Sequence, residues 1–162
     1  MIVFFGPAGA GKSLQGQILA ARHNWRWLSA GQLLRDKSSN DEEIATLLKT
    51  GNLLPPRIVN GAVSDALDVA DKNGIDVILD GYPRSLDQAK FLTARENNNT
   101  NSRKVNLAIA LVMPMGELQH RLAQRGRIDD TPNAIARRLE IFQSETKPVL
   151  DYYRELGVPV VD

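Results

Sequence analysis

Residues 6 to 13 read GPAGAGKS, between an apolar run at Ile2–Phe5 and a helix predicted at Ser13–Arg22. This stretch fits the spacing G-x-x-x-x-G-K-[ST], in which glycines let backbone N–H groups turn toward phosphate oxygens. Lys12 would reach the outer phosphates of a nucleotide, and the Ser13 hydroxyl would face Mg²⁺. A glycine-rich turn that binds nothing is the alternative, and the strand–helix context disfavours it. The sequence therefore predicts a phosphate-binding loop at residues 6–13.

The rest of the chain alternates apolar runs with amphipathic segments. Further strands are predicted at Trp25–Leu28, Ile75–Asp80, the run VNLAIALVM (105–113) and the run VPVV (158–161). Further helices are predicted around Ile44 and Ile58, at Leu86–Arg95 and Gly116–Arg125, and after Thr131, with Thr131 as N-cap and Pro132 first in the helix. Pro148 should kink or end that last helix. Repeated strand–helix units predict an α/β fold, a parallel sheet with helices on both faces.

Composition narrows the class of protein. The 162 residues contain 20 Lys+Arg against 19 Asp+Glu, a balance that gives no support to a nucleic-acid or membrane binder. With no cysteine, disulfides and cysteine-ligated zinc are excluded. The sequence has no apolar run near the length that spans a bilayer and no signal-peptide pattern at its start, so a cytoplasmic location is expected.

A second motif, ILDGYPRS, occupies residues 78–85. Asp80 ends an apolar strand, at the edge where doubly wound sheets bind ligands, and could hold Mg²⁺ through water. Arg84 follows one short turn later, and its guanidinium suits phosphate oxygens. The alternative is a capped turn with a surface arginine, which becomes less favoured beside a phosphate-binding loop.

A third feature is a cluster of arginines around the stretch RGRIDD (125–130): Arg121, Arg125, Arg127, Arg137 and Arg138. Such clusters commonly form a solvated charged face. Phosphoryl transfer between two anions, however, requires several fixed positive charges, and this cluster would supply them. Gly126 would serve as a pivot in that stretch.

With these motifs in order, the chain resembles the nucleoside monophosphate kinases, most closely the adenylate kinases with a short lid. The resemblance runs from Met1 to Asp162. It is carried by GPAGAGKS (6–13), LSAGQLLR (28–35), TGNLLPP (50–56), LDGYPRSLDQ (79–88) and RLAQRGRIDDTPNAIARRLE (121–140).

The resemblance implies a P-loop NTPase-type doubly wound parallel sheet in a single kinase domain, residues 1–162. Within it lie an acceptor-binding segment at about 29–58 and a short lid at about 126–131, whose closure would exclude water. The implied reaction is reversible, Mg²⁺-dependent phosphoryl transfer from ATP to AMP, giving two ADP. The implied partners are ATP and AMP, with CMP or UMP as further candidates, no nucleic acid and no membrane. The protein would be a monomer.

Site residues follow from the same resemblance, position by position. The ATP-binding residues would be Gly9, Ala10, Gly11, Lys12, Ser13, Leu14, Arg121 and Arg125. The acceptor-binding residues would be Ala30, Arg35, Asn52, Leu53, Leu54, Gly81, Tyr82, Pro83, Arg84, Gln88, Arg127 and Arg138. Catalysis would rest on Lys12, Arg84, Arg125, Arg127 and Arg138, and Mg²⁺ would lie near Ser13 and Asp80, largely through water.

Three departures from the family pattern bear on function. Ser13 supplies the metal-facing hydroxyl one position earlier than is usual in the family. Ala30 stands where adenylate kinases usually have threonine and resembles the UMP/CMP kinases, whereas Gln88 keeps the adenylate-kinase pattern and favours AMP. Finally, the family continues past its last strand into a loop and a helix that are missing after Asp162, which would leave part of one sheet face uncovered and invite association.

Other functions remain open from the sequence. A UMP/CMP kinase, or a nucleoside monophosphate kinase of relaxed specificity, is the first alternative, and a non-catalytic nucleotide-binding module is the second. A GTPase switch would need a guanine-reading motif, which DKNG (71–74) is not. A small-molecule kinase of the shikimate or gluconate type would not be expected to combine DGYPRSLDQ with RGRIDD.

Overall fold

A parallel β-sheet forms the centre of the computed structural model, which describes residues 1–98, 104–124, 126 and 131–162. The strands are β1 Ile2–Phe5, β2 Arg26–Ser29, β3 Val77–Asp80, β4 Leu107–Ala110 and β5 Val160–Val161. They lie in the order β2-β3-β1-β4-β5. The chain crosses from β1 to β2 on one side and from β3 to β4 on the other, so the strand order reverses beside β1. Ligands of doubly wound sheets bind in the crevice at such a reversal.

Helices cover both faces of this sheet. They are α1 Lys12–His23, α2 Ala30–Ser38, α3 Glu42–Thr50, α4 Pro56–Lys72, α5 Leu86–Asn98, α6 Met115–Gln124, α7 Pro132–Ile141 and α8 Lys147–Glu155. A π-helical turn, Phe142–Thr146, joins α7 to α8. Among the described residues, no helix is both long and apolar enough to cross a membrane.

Alternating side chains of β1 divide the core between the two faces. Val3 and Phe5 belong to the larger buried cluster, which also includes Leu67 of α4 and Tyr153 of α8. Phe4 points to the opposite face and packs in a smaller cluster on the α1 side. The period-two alternation of a strand thus lets four apolar residues serve two layers of helices.

The predicted fold class is confirmed, and several predicted boundaries are also right. β1 has the predicted bounds, β3 ends at Asp80 as predicted, and α5 begins at Leu86. Thr131 is the N-cap of α7: its side-chain oxygen accepts a hydrogen bond from Ala134 N at 3.2 Å, and Pro132 follows as the first helical residue.

Other boundaries were predicted wrongly. The strand predicted over 105–113 is confined to Leu107–Ala110, because its partner β1 ends at Phe5 and only Leu111 N still reaches Phe5 O, at 2.9 Å. Pro148 does not end the helical segment, which continues through α8 to Glu155. The change in helical path comes before it, at the π turn.

Candidate active site

The phosphate-binding loop joins β1 to α1 at the strand-order reversal. Gly6, Gly9 and Gly11 all have positive φ, at 136°, 87° and 90°, a region that favours glycine. A Cβ on Gly6 would also lie 2.7 Å from Leu111 O, so this position has no room for a side chain. Lys12 Nζ donates hydrogen bonds to Gly6 O at 2.7 Å and Pro7 O at 2.8 Å. The lysine ammonium is therefore held over the loop, next to the N-terminus of α1, which attracts anions.

Ser13 and Asp80, the two residues expected near Mg²⁺, contact each other directly. Ser13 Oγ donates to Asp80 Oδ2 at 2.7 Å, across 67 positions of sequence. Asp80 ends β3, where it pairs in register with Phe4 of β1 and Ser29 of β2. Its carboxylate is consequently placed at the carboxyl edge of the sheet, 3% exposed, beside the phosphate-binding loop.

The loop after β3 holds Arg84 by its main chain and by its side chain. Arg84 Nε donates to Gly81 O at 2.8 Å, and Arg84 N donates to Gln88 Oε1 at 2.8 Å. Ser85 Oγ accepts from Gln88 N at 3.4 Å, as an N-cap does. The spacing Ser85–Gln88 resembles a capping box shifted by one residue, with the glutamine reaching back to Arg84. Gln88 is 2% exposed, so this arrangement is largely enclosed.

The segment from Ser29 to Ile58 forms one wall above the sheet edge. Ser29 caps α2 by accepting from Gln32 N at 3.3 Å, and places Ala30 against the interior. Arg35 lies one helical turn later and donates to Gln32 Oε1 at 3.0 Å. After α3, the residues Asn52, Leu53 and Leu54 return toward the same space. Helix α2 was not predicted from periodicity; the serine cap is the signal that could have found it.

On the opposite wall, two of the described arginines line the cavity. Arg121 of α6 pairs with Glu117 at 2.6 Å, and both side chains are about half exposed. Arg138 of α7 donates to Leu48 O of α3 at 3.4 Å, so it reaches from one wall toward the other. Nearby, Arg137 Nε donates to Asn52 Oδ1 at 2.7 Å. Helices α3 and α7 therefore meet across the mouth of the site.

These walls enclose one cavity of about 290 Å³. Most of the site residues named from the sequence line it: Gly9, Gly11, Lys12, Ser13, Leu14, Ala30, Arg35, Asn52, Leu53, Leu54, Asp80, Gly81, Pro83, Arg84, Gln88, Arg121 and Arg138. Two named residues do not. Ala10 is buried against Leu118 and Leu139, and Tyr82 is buried in the core. Arg125, Arg127 and most of the predicted lid at 126–131 lie outside the described residues.

Tyr82 contacts residues of the site from the side of the hydrophobic core. Its hydroxyl donates toward Asn60 Oδ1 at 2.8 Å and lies 3.2 Å from Gln88 O. Burial raises the pKa of Tyr82 well above its ordinary value, so the phenol stays protonated and keeps this contact. Tyr82 thereby ties α4 to the first turn of α5.

The charge of the cavity is strongly positive. Among the described residues that line it, the cationic side chains are Lys12, Arg35, Arg84, Arg121 and Arg138, and the only carboxylate is Asp80. Fixed cations converging on one enclosed space suit a ligand with several negative charges. Arginine in particular matches the geometry of phosphate oxygens.

Several lining residues were not named from the sequence: Leu34, Val59, Ile141, Phe142 and Thr146. The apolar ones lie at helical positions that periodicity alone assigns to the core. Thr146 has a sequence signal of a different kind, because it is a polar residue between Phe142 and Val149 on the buried face of a helix. That signal could have suggested a functional contact.

Comparison with known proteins agrees with this architecture. Residues 4–158 match the sequence model of the family described as adenylate kinase. An adenylate kinase of Mycolicibacterium vanbaalenii is 40% identical over 156 residues, which cover 94% of this chain and 84% of the relative. The "Adenylate kinase 1" of a Nostoc species is 38% identical over 95% of this chain and 84% of its own length. An adenylate kinase of Oenococcus oeni is 35% identical over 96% of this chain and 85% of its own length. The chain belongs to the adenylate kinase family.

Proposed function

We propose that this protein is an adenylate kinase in activity, transferring the terminal phosphoryl group of ATP to AMP to give two ADP. The observation that carries the proposal is that the phosphate-binding loop lines the same cavity as Arg35, Arg84 and Arg138. A donor nucleotide on the loop and an acceptor against Arg35 and Arg84 would bring their phosphates together between fixed cations. Phosphoryl transfer depends mainly on such positioning and charge stabilisation.

Each cation has a separate task in this proposal. Lys12, held by two carbonyl oxygens of the loop, would turn its ammonium to the donor's outer phosphates. Arg35 and Arg84 would hold the acceptor phosphate, and Arg121 would lie along the donor. Arg138 would balance the charge that spreads over the transferred group. The lid at 126–131, with Arg125 and Arg127, stays a prediction from the sequence.

Mg²⁺ fits the residues present. Magnesium is commonly held by one or two carboxylates together with substrate phosphates and water. Ser13 Oγ and Asp80 Oδ2, 2.7 Å apart beside the loop, offer that donor set. No cluster of three or more His, Asp or Glu that could hold a metal exists in the described part of the chain, so the phosphates would supply the other ligands. When bound, the ion would neutralise phosphate charge; Ser13 and Asp80 would orient its waters.

Gln88 supports AMP as the acceptor. Its Oε1 accepts from Arg84 N–H, a group that can only donate, which fixes the amide nitrogen as the donor end. Adenine presents an unprotonated ring nitrogen beside its amino group, and cytosine presents the same pair. Uracil and guanine present a ring N–H there, and only the neighbouring carbonyl oxygen can accept, so the amide would have to shift from the ring nitrogen to reach it. A donor from Gln88 therefore favours AMP, followed by CMP, over UMP and GMP.

The second candidate, a UMP/CMP kinase, is favoured by Ala30. Its side chain is 2% exposed and lines the cavity, yet it can neither donate nor accept a hydrogen bond to a base. Of positions 30 and 88, only Gln88 would then select the acceptor base. Selectivity for AMP would be weaker than with a hydroxyl at position 30.

A coupled assay of ADP formation from Mg-ATP with AMP, CMP, UMP and GMP in parallel tests the proposal. The expected order of kcat/KM is AMP, then CMP, then UMP and GMP. A ranking with CMP or UMP above AMP would favour the second candidate. Absence of ADP formation with every acceptor would leave a nucleotide-binding module without catalysis. A monomeric state and a cytoplasmic location also stay predictions, for which sedimentation and cell fractionation are the direct measurements.

A further inference from the structure

Buried polar residues are concentrated at the cavity. Apart from tyrosines, the buried polar or charged residues in the described part of the chain are Ser29, Asp80, Gln88 and Thr146, and all four line it. Burying a polar group is unfavourable unless it forms a hydrogen bond, so each should have a definite partner. Ser29 caps α2, Asp80 accepts from Ser13, and Gln88 accepts from Arg84. Thr146 has no part in the function argued so far.

The hydroxyl of Thr146 bonds far along the chain. Thr146 Oγ1 donates to Arg84 O at 2.8 Å, across 62 positions of sequence. Threonine or serine on a helix often bonds instead to the carbonyl four residues back. Ser144 does this, donating to Glu140 O at 3.1 Å. Thr146 is also the residue before α8, yet its side chain makes no capping bond to that helix. Its one hydroxyl proton is donated to the main-chain oxygen of Arg84.

The π turn directs Thr146 toward the cavity. Thr146 lies eight positions after Arg138. In an unbroken α-helix eight steps turn through about 800°, which would leave the two side chains about 80° apart around the axis. In the π turn, Lys147 N–H bonds to Phe142 O, five residues back, and each residue turns less. Arg138, Phe142 and Thr146 consequently all line the cavity.

The main chain of Arg84 is thereby held on both sides. Its N–H donates to Gln88 Oε1, and its C=O accepts from Thr146, each at 2.8 Å. The first bond ties Arg84 to α5, and the second ties it to the π turn that directly follows α7, the helix that carries Arg138. The two phosphate-binding arginines, which come from different walls, are therefore linked through a single hydroxyl.

We propose that Thr146 is a positioning residue that fixes Arg84 relative to Arg138 for phosphoryl transfer. The inference rests on the proposed function. A shift of a catalytic group by about 1 Å can reduce rates by about 10²-fold. Loss of the Thr146 hydroxyl should allow a smaller shift of Arg84, and we expect about a 10-fold loss of kcat/KM for AMP.

The experiment compares Thr146→Val, which keeps the shape without the hydroxyl, with Thr146→Ser, which keeps the hydroxyl. We expect the valine variant to lose kcat/KM for AMP as stated, with less than about a twofold change in KM for ATP. The serine variant should stay within about threefold of wild type. Ser144→Ala, which removes an exposed hydroxyl two residues earlier, is the control and should be unchanged.

A double-mutant cycle with Arg84→Ala, run at high enzyme concentration, separates positioning from a merely structural role. If Thr146 acts through Arg84, Thr146→Val should change kcat/KM by less than about twofold once the guanidinium is absent. Its effect on the urea midpoint should persist in both backgrounds. An equal loss of kcat/KM in both backgrounds, or a serine variant as impaired as valine, would overturn the inference.

Failure of the proposed function and failure of the Thr146 inference give different results. If wild type forms no ADP from ATP and AMP, the proposed function fails. If wild type is active and Thr146→Val matches it, only the present inference fails. Thr146→Ala is the second hydroxyl-free variant, and unfolding of both would assign Thr146 to stability and overturn the positioning role.

Discussion

Lys12 is the residue on which donor binding would depend most directly under the proposed function. Its ammonium bonds to Gly6 O and Pro7 O and so lies within the loop that would hold the phosphates. Removal of one such charge stabiliser typically lowers turnover by about 10²–10³-fold. We expect Lys12→Ala to lower kcat by about 10²-fold in the ADP-formation assay. Lys72→Ala, an exposed lysine at the end of α4, should leave kcat unchanged. Near-normal turnover of Lys12→Ala would remove the loop from the mechanism.

Gln88 and Ala30 together should set acceptor choice. One hydrogen bond is worth about 0.5–1.5 kcal/mol, or up to about tenfold in selectivity. Gln88→Ala should therefore narrow the ratio of kcat/KM for AMP over UMP by up to about tenfold. Ala30→Thr, which adds a hydroxyl to the cavity wall, should raise the ratio of kcat/KM for AMP over UMP. Values of kcat/KM for the four acceptors measure both changes, and a ratio unaffected by Gln88→Ala would contradict base recognition by this amide.

Among the secondary-structure elements, α3 and α7 meet at Gly51. Gly51 caps the C-terminus of α3 with φ of 74°, and an added Cβ would lie 2.5 Å from Ala134 O of α7. Gly51→Ala should separate the two helices as well as strain the backbone. Since α3 leads to Asn52–Leu54, which are proposed to bind the acceptor, we expect a severalfold higher KM for AMP than in wild type. The ATP KM should change little.

Gly74→Ala is the matched control for this substitution. Gly74 also has positive φ, at 66°, but a Cβ there would meet no atom of the described part of the chain within 4 Å. Both variants should lose about 1–2 kcal/mol of unfolding free energy from left-handed backbone strain. Only Gly51→Ala should raise KM for AMP. Equal KM values in the two variants would show that the α3–α7 contact does not shape the acceptor site.

The elements that sequence could predict are those with local signals. Local sequence determines two of them: the start of α7 at Thr131–Pro132, and the glycine loop after β1. The length of β4 is not determined locally: it is fixed by where its partner β1 ends, a contact between residues more than one hundred positions apart. The π turn at Phe142–Thr146 likewise depends on tertiary contacts, including the bond from Thr146 to Arg84.

For the whole molecule, stability should depend on pH through Glu96. Burial raises the pKa of Glu96 to about 7, opposed by the Val105 N–H and by the N-terminal amine, Arg95 and Lys104. Its Oε1 has no hydrogen-bond partner among the residues that the structure describes, so ionisation inside the fold is unfavourable. An acid whose folded pKa is raised contributes stability below its unfolded pKa, near 4.5, and that contribution is lost as pH rises through about 7.

Urea unfolding at pH 5.5 and pH 8 checks this expectation. Wild type should lose more stability between these values than Glu96→Gln, because glutamine cannot ionise. Glu155→Gln, an exposed glutamate at the end of α8, should behave as wild type. The same pH dependence in Glu96→Gln and wild type would assign the effect to other groups.

The whole site could be predicted only in part. The motifs identified the cationic residues and the phosphate-binding loop, because each of these features lies in a short stretch with a characteristic spacing. Convergence of Lys12, Arg84 and Arg138 on one cavity depends on the strand order and on the α3–α7 contact, which no single stretch contains. Burial of Tyr82, named with its neighbours as a contact residue, also follows from the packing of α4 against α5.

Transfer of label from [γ-³²P]ATP tests the central proposal most directly. With Mg²⁺ and unlabelled AMP, the label should appear in ADP, with two ADP formed for each ATP consumed. Without AMP, little label should leave ATP, because water would be a poor acceptor in this site. Release of the label as free phosphate at the same rate with and without AMP would contradict the account and identify an ATPase.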